Sequence, residues 1–340
     1  MFAKEKNSTF GTQKNKIMLT FQEALAIINR EIKDIDYPKN PQSLYEPIAY
    51  ILDLKGKKIR PILTLLACNL YKEDVGDAVN MALAWEIFHN FTLMHDDVMD
   101  KADMRRGQAT VHKKWNENTA ILSGDAMLIL SYIYITKSNE KHLKELIELF
   151  SKTATEICEG QEYDMQFENR LDVTEDEYLN MICLKTAVML GASLMSGAII
   201  GGASEQDQKY LFDFGINLGL SFQIQDDLLD AYGNPSVFGK KIGGDILCNK
   251  KTYLLISALN ISNKEEKEEL LWWLKSMDNG EEKIKAVVDL YDRIHIKEKA
   301  HDKIEYYYQK AMQALSFVDV EENKKDVLIN LAKELMIRES

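Results

Sequence analysis

The chain has 340 residues, of which 42 are Lys or Arg and 54 are Asp or Glu, for a formal charge of −12. So acidic a balance excludes a protein that coats nucleic acid, because non-specific phosphate binding needs a net basic face. Only five prolines, no Pro-, Ser- or Gly-rich linker, and apolar residues at helical spacing predict one all-α domain of long helices.

In chain order, MFAKEKNSTFGTQKNK (1–16) is polar and lysine-rich and lacks the apolar core of a signal peptide. It is expected to be a disordered arm ahead of a single domain over 17–340, with the first helix starting near Ile17. GKKIRP (56–61) then sets Lys57 and Arg60 three apart, on one side of a helical turn that opens an apolar run. The run ALAWEIFHNFTLM (82–94) has no breaker and leads directly into HDDVMDKADMRRG. Asp96 and Asp100, four apart, share a helix face, while Asp97 sits about 100° around it. Like charges at that spacing repel, so cations are expected beside them, and Arg105 and Arg106 follow at once. His89 lies seven residues before Asp96, on the same face.

Residues 186–204 carry no charge across 19 positions, which approaches membrane-spanning length, but their Gly, Ala and Ser content predicts a buried helix packed closely against its neighbours. FQIQDDLLD (222–230) repeats the acidic pattern as Asp226, Asp227 and Asp230, 130 residues after the first. A single such triplet reads as a solvated helix end. Two, each closing an apolar run, point to one shared site that needs cations. Carboxylates without His or Cys suit Mg²⁺, which shares its coordination shell with substrate phosphates. A di-iron bundle would pair Glu-x-x-His on two helices; Glu86–His89 and Glu298–His301 have that spacing, but neither pair falls within an acidic triplet.

GNPSVFGKKIGGDILCNKKT (233–252) brings Lys240, Lys241 and Lys250 next to the second triplet and is expected to act as a lid over bound phosphates. Further on, EELLWWLKSM and KIEYYYQKAM read as amphipathic helices that close the bundle or a dimer face, their aromatics belonging to the core. Neither a basic amphipathic helix nor a stable membrane anchor is expected. Cys68, Cys158, Cys183 and Cys248 lack CxxC spacing, which argues against a zinc or disulfide framework and fits a reduced, cytoplasmic setting.

Five motifs in this order, GKKIRP, HDDVMDKADMRRG, the Lys185–Thr186 pair, FQIQDDLLD and the Gly/Lys loop, run from Gly56 to Thr252. Together they closely resemble the trans-isoprenyl diphosphate synthases, the family of farnesyl and geranylgeranyl diphosphate synthases. The resemblance implies the isoprenoid synthase fold, roughly ten core helices around a central cavity, in a homodimer. It implies that Asp96, Asp97, Asp100 and Asp226, with Asp230 nearby, hold about three Mg²⁺ ions on an allylic diphosphate. Arg105, Lys185, Gln223, Lys250 and either Lys240 or Lys241 would contact that substrate, with Thr186 beside the reacting carbon. Lys57, Arg60, His89 and Arg106 would hold isopentenyl diphosphate.

Phe91, Phe88 and Trp85 precede Asp96 by one, two and three turns and would limit the product's length. In the family, an aromatic residue five before the first aspartate limits elongation and a second, four before it, favours C15. Here those positions hold Phe91 and Thr92, which favours a C20 product, geranylgeranyl diphosphate, with farnesyl diphosphate the alternative. A class I terpene cyclase would replace the second acidic motif. A non-catalytic subunit of a heteromeric synthase would generally lose one of the two.

Overall fold

Thr20 opens the first helix. Its side chain accepts from the Glu23 N–H while the Glu23 carboxylate accepts from the Thr20 N–H at 2.9 Å, a reciprocal cap that satisfies two otherwise orphaned donors. Helix α1 therefore begins at Phe21, four residues later than the apolar pattern suggests. The same Thr or Asn to Glu reciprocity starts two later helices, at Thr174 and Asn263.

The computed structural model describes residues 18–138, 140–233, 243–276 and 280–336. The expected arm (1–16), Ile17, and Lys240 and Lys241 of the expected lid lie outside them. After α1 (Phe21–Lys33) come α2 (Gln42–Asp53), α3 (Ile59–Tyr71) and α4 (Val79–Met99). A hairpin, β1 (Met104–Arg105) and β2 (Gln108–Ala109), is the only sheet among the described residues. Helices α5 (Val111–Lys114), α6 (Glu117–Thr136), α7 (Leu143–Glu168) and α8 (Glu175–Ile182) follow. A π-helical turn (Cys183–Ala187) joins α8 to α9 (Val188–Gly201), and α10 (Glu205–Tyr232) comes next. The chain ends with α11 (Gly244–Leu247), α12 (Tyr253–Ile261), α13 (Lys264–Lys275), α14 (Glu281–Arg293), α15 (Ile296–Ser316) and α16 (Glu322–Met336).

The apolar residues form two cores. The first joins α1 to α4, α6, α7, α9, the first half of α10 and α16; the second joins α8, the second half of α10, α12, α14 and α15. Ala187 belongs to the second core and Val188 to the first, so the π-helical turn stands where the two meet.

The uncharged segment is buried, as its composition predicts. Its helical stretch, 175–201, is long and apolar enough to cross a membrane, yet 72% of its apolar window lies inside the protein. Helix α6 passes the same test but is only 39% buried, and it exposes Ile121, Leu122, Ile129 and Ile133. The C-terminal helices are amphipathic as predicted, with Leu270, Leu290 and Tyr291 inside. The expectation that their aromatics belong to the core needs correction, because Trp272 and Tyr306 are exposed, at 62% and 50%. They fall on the outward faces of α13 and α15, which the local pattern of two or three adjacent aromatics does not distinguish from the inward ones.

Candidate active site

The last turn of α4 carries the first acidic triplet and separates its members. Asp97 is buried, and Arg105 grips it with Nη2 at 2.6 Å and Nε at 3.0 Å from Oδ1. Asp100 caps the helix and is exposed. Asp96 is half-buried. Burial pushes its carboxyl up to about 6 against the pull of Lys185, with Asp100 adding repulsion. This is the charge frustration expected of a carboxylate placed to meet a cation.

Arg105 reaches Asp97 because the hairpin turns back at once. Arg106 and Gly107 are its two central residues, and both have positive φ, 52° and 77°, the pairing of a two-residue type I′ turn. Tyr50 Oη donates to the Ala109 carbonyl at 2.8 Å and pins the returning strand to α2.

Asp227 of the second triplet also turns inward. Its Oδ2 accepts from the Tyr253 N–H at 2.9 Å and from the Tyr178 hydroxyl. Burial pushes its carboxyl up to about 7, against the charge of Lys250 and these two donors. Asp230 accepts from the Asp245 N–H at 2.9 Å and so ties α10 to α11. Asp226 stays half-buried, within electrostatic reach of Lys250.

A cavity of about 130 Å³ lies at the second triplet, and its lining includes Asp227, Asp164, Lys185, Thr186, Gln223, Lys250 and Thr252; Lys185 also pulls on Asp96 of the first triplet. Sequence reasoning singled out Lys185, Thr186, Gln223 and Lys250, and here they share one space. The π-helical turn presents Lys185 and Thr186, a local widening that recurs at functional sites. Lys185 Nζ donates to Asp164 Oδ2 at 2.5 Å, and Thr186 Oγ1 donates to Gln223 Oε1 at 3.3 Å. Gly160, one turn before Asp164 on α7, makes this approach possible: a Cβ there would stand 2.3 Å from the Lys185 backbone nitrogen. Burial draws Lys250 down, but Asp245, Asp227, Asp164 and Asp226 outweigh it and hold the ammonium above its usual range.

A second cationic cluster adjoins α4. Arg60 Nη1 is 3.2 Å from His89 Nε2, and Arg60 Nε is buried with no hydrogen-bond partner. Burial pulls Arg60 down to about 10, Glu86 opposing and Arg106 assisting. His89 is held well below its ordinary value by burial, then by Arg60, Arg106, Arg105 and Lys58. A half-buried cluster in which several cations repel, with a guanidinium donor unused, suits an anion. Lys57 is exposed just ahead of α3.

Sequence reasoning missed Asp164, Asp245 and the Lys58–Glu86 pair. Lys58 Nζ lies 3.1 Å from Glu86 Oε1, both side chains being almost fully buried, so removing either would cost about 3–5 kcal/mol. The pair braces α3 against α4 beneath Arg60 and His89. It also accounts for Glu86 of the Glu86–His89 match, whereas Glu298 and His301, the other pair at that spacing, are exposed. No local signal identifies Asp164; its partner is 21 residues away on another helix.

Among the described residues, no three His, Cys, Asp or Glu side chains lie close enough to hold a metal alone. Asp96, Asp100 and Asp226 are all-oxygen donors around an electrostatically frustrated Asp96, and they fit Mg²⁺ that completes its shell with water and substrate oxygens. Asp97 and Asp230 are already committed to Arg105 and Asp245 through the hydrogen bonds described above.

The raised carboxyls of Asp96 and Asp227 make a pH prediction. Each binds its proton more tightly folded than unfolded, so each adds stability at low pH that is lost as pH rises through about 6 and about 7. Metal-free protein should therefore lose part of its Tm between about pH 4 and 7, and Asp227→Asn should flatten that loss. An unchanged slope in the variant would remove Asp227 from the account.

The aromatics predicted to limit product length stack down α4. Phe91 is half-buried, whereas Phe88 and Trp85 are fully buried. Ring centroids are 5.5 Å apart for Phe91–Phe88 and 6.4 Å for Phe88–Trp85. Phe150 of α7, absent from the sequence expectation, packs on Trp85 at 4.9 Å and Phe88 at 5.0 Å. Trp85 Nε1 donates to Ser196 Oγ at 3.0 Å.

A helical bundle that gathers lysines and one acidic helix end around a cavity, with a second acidic helix end in electrostatic reach of Lys185 and a separate cationic cluster, defines an enzyme that handles diphosphate esters by electrostatics. The chain belongs to the polyprenyl synthetase family, whose model matches residues 41–291, and it is a prenyltransferase. It is 36% identical to a short chain isoprenyl diphosphate synthase of Methanothermobacter thermautotrophicus over 314 residues, covering 92% of this chain and 94% of that one. It is likewise 36% identical to a geranylgeranyl pyrophosphate synthase of Geoglobus acetivorans over 315 residues, 92% and 96% of the two chains. A crystal structure of a geranylgeranyl pyrophosphate synthase, 44% identical, superposes with a TM-score of 0.90 over 94% of this chain and 99% of that one.

Proposed function

We propose that the enzyme extends dimethylallyl, geranyl and farnesyl diphosphates with isopentenyl diphosphate and releases geranylgeranyl diphosphate. The observation that carries this reading is the meeting of Lys185, Thr186, Gln223 and Lys250 in one cavity at the second acidic triplet, with Arg60 of α3, His89 of α4 and Arg106 of the hairpin clustered separately. Two diphosphates need two cationic seats, and a cyclase needs only one.

Asp96, Asp100 and Asp226 would hold about three Mg²⁺ ions, with Asp97 and Asp230 acting through Arg105 and Asp245. Bound Mg²⁺ supplies Lewis-acid stabilisation of the diphosphate as it leaves. Lys185, Lys250 and Arg105 orient the allylic diphosphate. Lys57, Arg60, His89 and Arg106 seat the diphosphate of isopentenyl diphosphate, His89 staying neutral. When the allylic C–O bond breaks, the Thr186 hydroxyl and the Gln223 carbonyl oxygen face the positive carbon and lower its energy. The isopentenyl double bond attacks that carbon, and a proton then leaves to the departed diphosphate.

The exposed apolar stripe of α6, Ile121, Leu122, Ile129 and Ile133, supports a homodimer, because a face of that kind seldom stays in water. We place the enzyme in the cytoplasm, since its four cysteines are all free thiols.

Purified protein with Mg²⁺ and isopentenyl diphosphate should convert each of the three primers to a C20 product by mass. By light scattering it should weigh two chains. A product that stops at C15 makes it a farnesyl diphosphate synthase. No condensation with any primer overturns the reading.

A further inference from the structure

Lys283 of α14 is among the largest fully buried side chains in the protein. A lysine is buried only where its ammonium is held, and its Nζ donates to Asn249 Oδ1 at 2.7 Å. Asn249 stands in the left-handed region, φ 55°, which asparagine adopts more readily than most side chains but less freely than glycine. Its amide nitrogen donates to the Leu274 carbonyl at 3.0 Å, and its own carbonyl accepts from Lys251 Nζ at 3.2 Å. Lys251 also donates to the Glu168 carbonyl at 3.2 Å and so ties this turn to the end of α7.

The next residue along is Lys250. Its N–H donates to the Asp245 carbonyl at 2.9 Å, its Nζ lies 3.7 Å from Asp245 Oδ1, and its side chain enters the cavity beside Lys185. The peptide that carries this ammonium is held by Asp245 on one side and by Asn249 on the other. Lys283 does not line the cavity, so its effect on substrate passes through Asn249.

We propose that Lys283 is a positioning residue for the allylic diphosphate: through Asn249 it fixes the left-handed turn that aims Lys250 into the cavity. This rests on the reading of Lys250 as a ligand of that diphosphate.

The test measures KM for geranyl diphosphate, KM for isopentenyl diphosphate, and Tm, on the full chain carrying Lys250→Met, Lys283→Met, or both. Lys250→Met should raise KM for geranyl diphosphate by about tenfold, the worth of one charged hydrogen bond. Lys283→Met should raise the same KM by about three- to tenfold and leave that for isopentenyl diphosphate unchanged. The double variant should bind no worse than Lys250→Met alone, because the two act in series. If Lys283→Met does not fold, Asn249→Gly, which keeps the left-handed backbone and removes the side chain Lys283 holds, carries the same test. A lowered Tm with KM for geranyl diphosphate unchanged makes Lys283 structural and overturns the proposal, as do effects that multiply in the double variant. An unchanged KM in Lys250→Met removes Lys250 as a ligand and the inference with it.

Discussion

Asp96→Asn is expected to lower kcat/KM by about 10³-fold or more while leaving the fold intact or slightly firmer. The first part follows from charge: the leaving diphosphate must be neutralised in a site poor in water, where losing one electrostatic partner costs about 10²–10³ in rate and losing a shared metal costs more. The second part follows from burial. Asp96 is pushed up to about 6 chiefly by desolvation, so an amide of the same shape relieves a cost the folded protein carries for function. Asp227→Asn should behave in the opposite way. Its carboxylate serves Tyr178 and Tyr253 inside the second core, so activity should fall only a few-fold while the pH dependence of Tm changes. Steady-state rates with geranyl and isopentenyl diphosphates, read beside the two melting curves, decide the matter. Comparable rate losses in the two variants would mean that the inward turn of Asp227 does not separate their roles.

That pair shows how much of the site can be read without the fold. The helices and the motifs are legible because their signals are local: apolar spacing and two DDxxD runs. Within each DDxxD the letters are identical, and only the hairpin that returns Arg105, or the proximity of Tyr178 to α10, tells which carboxylate is committed to structure. Asp164 was invisible for a related reason. Nothing in the surrounding residues of α7 marks it until Gly160 lets the π-helical turn come close enough for Lys185 to reach it. Lys58 does not stand out from Lys57 in sequence, because burial alone distinguishes the two. Chemistry written in runs could be read early. Chemistry that depends on two helices meeting had to wait for their packing.

The aromatic stack allows a finer prediction than a longer product. Phe91→Ala should shift the main product from C20 to C25 and no further. Phe91 is half-buried and its ring touches His95, at 4.7 Å, and Phe88, so truncating it opens space at modest cost. Three residues of helix separate Phe91 from Phe88, about 4.5 Å along the axis, close to what one five-carbon unit adds to the chain. Below that point Phe88, Trp85 and Phe150 form a closed group with Trp85 anchored on Ser196. They belong to the first core, and emptying Phe88 would cost about 3–5 kcal/mol, which makes Phe88→Ala a test of stability as much as of length. Mass analysis of the Phe91→Ala products, with farnesyl diphosphate as primer, distinguishes the cases. A C25 limit supports Phe91 as the floor over a sealed core. An unchanged C20 limit places the floor elsewhere, and C30 or longer products would mean that Phe88 and Phe150 yield to a growing chain.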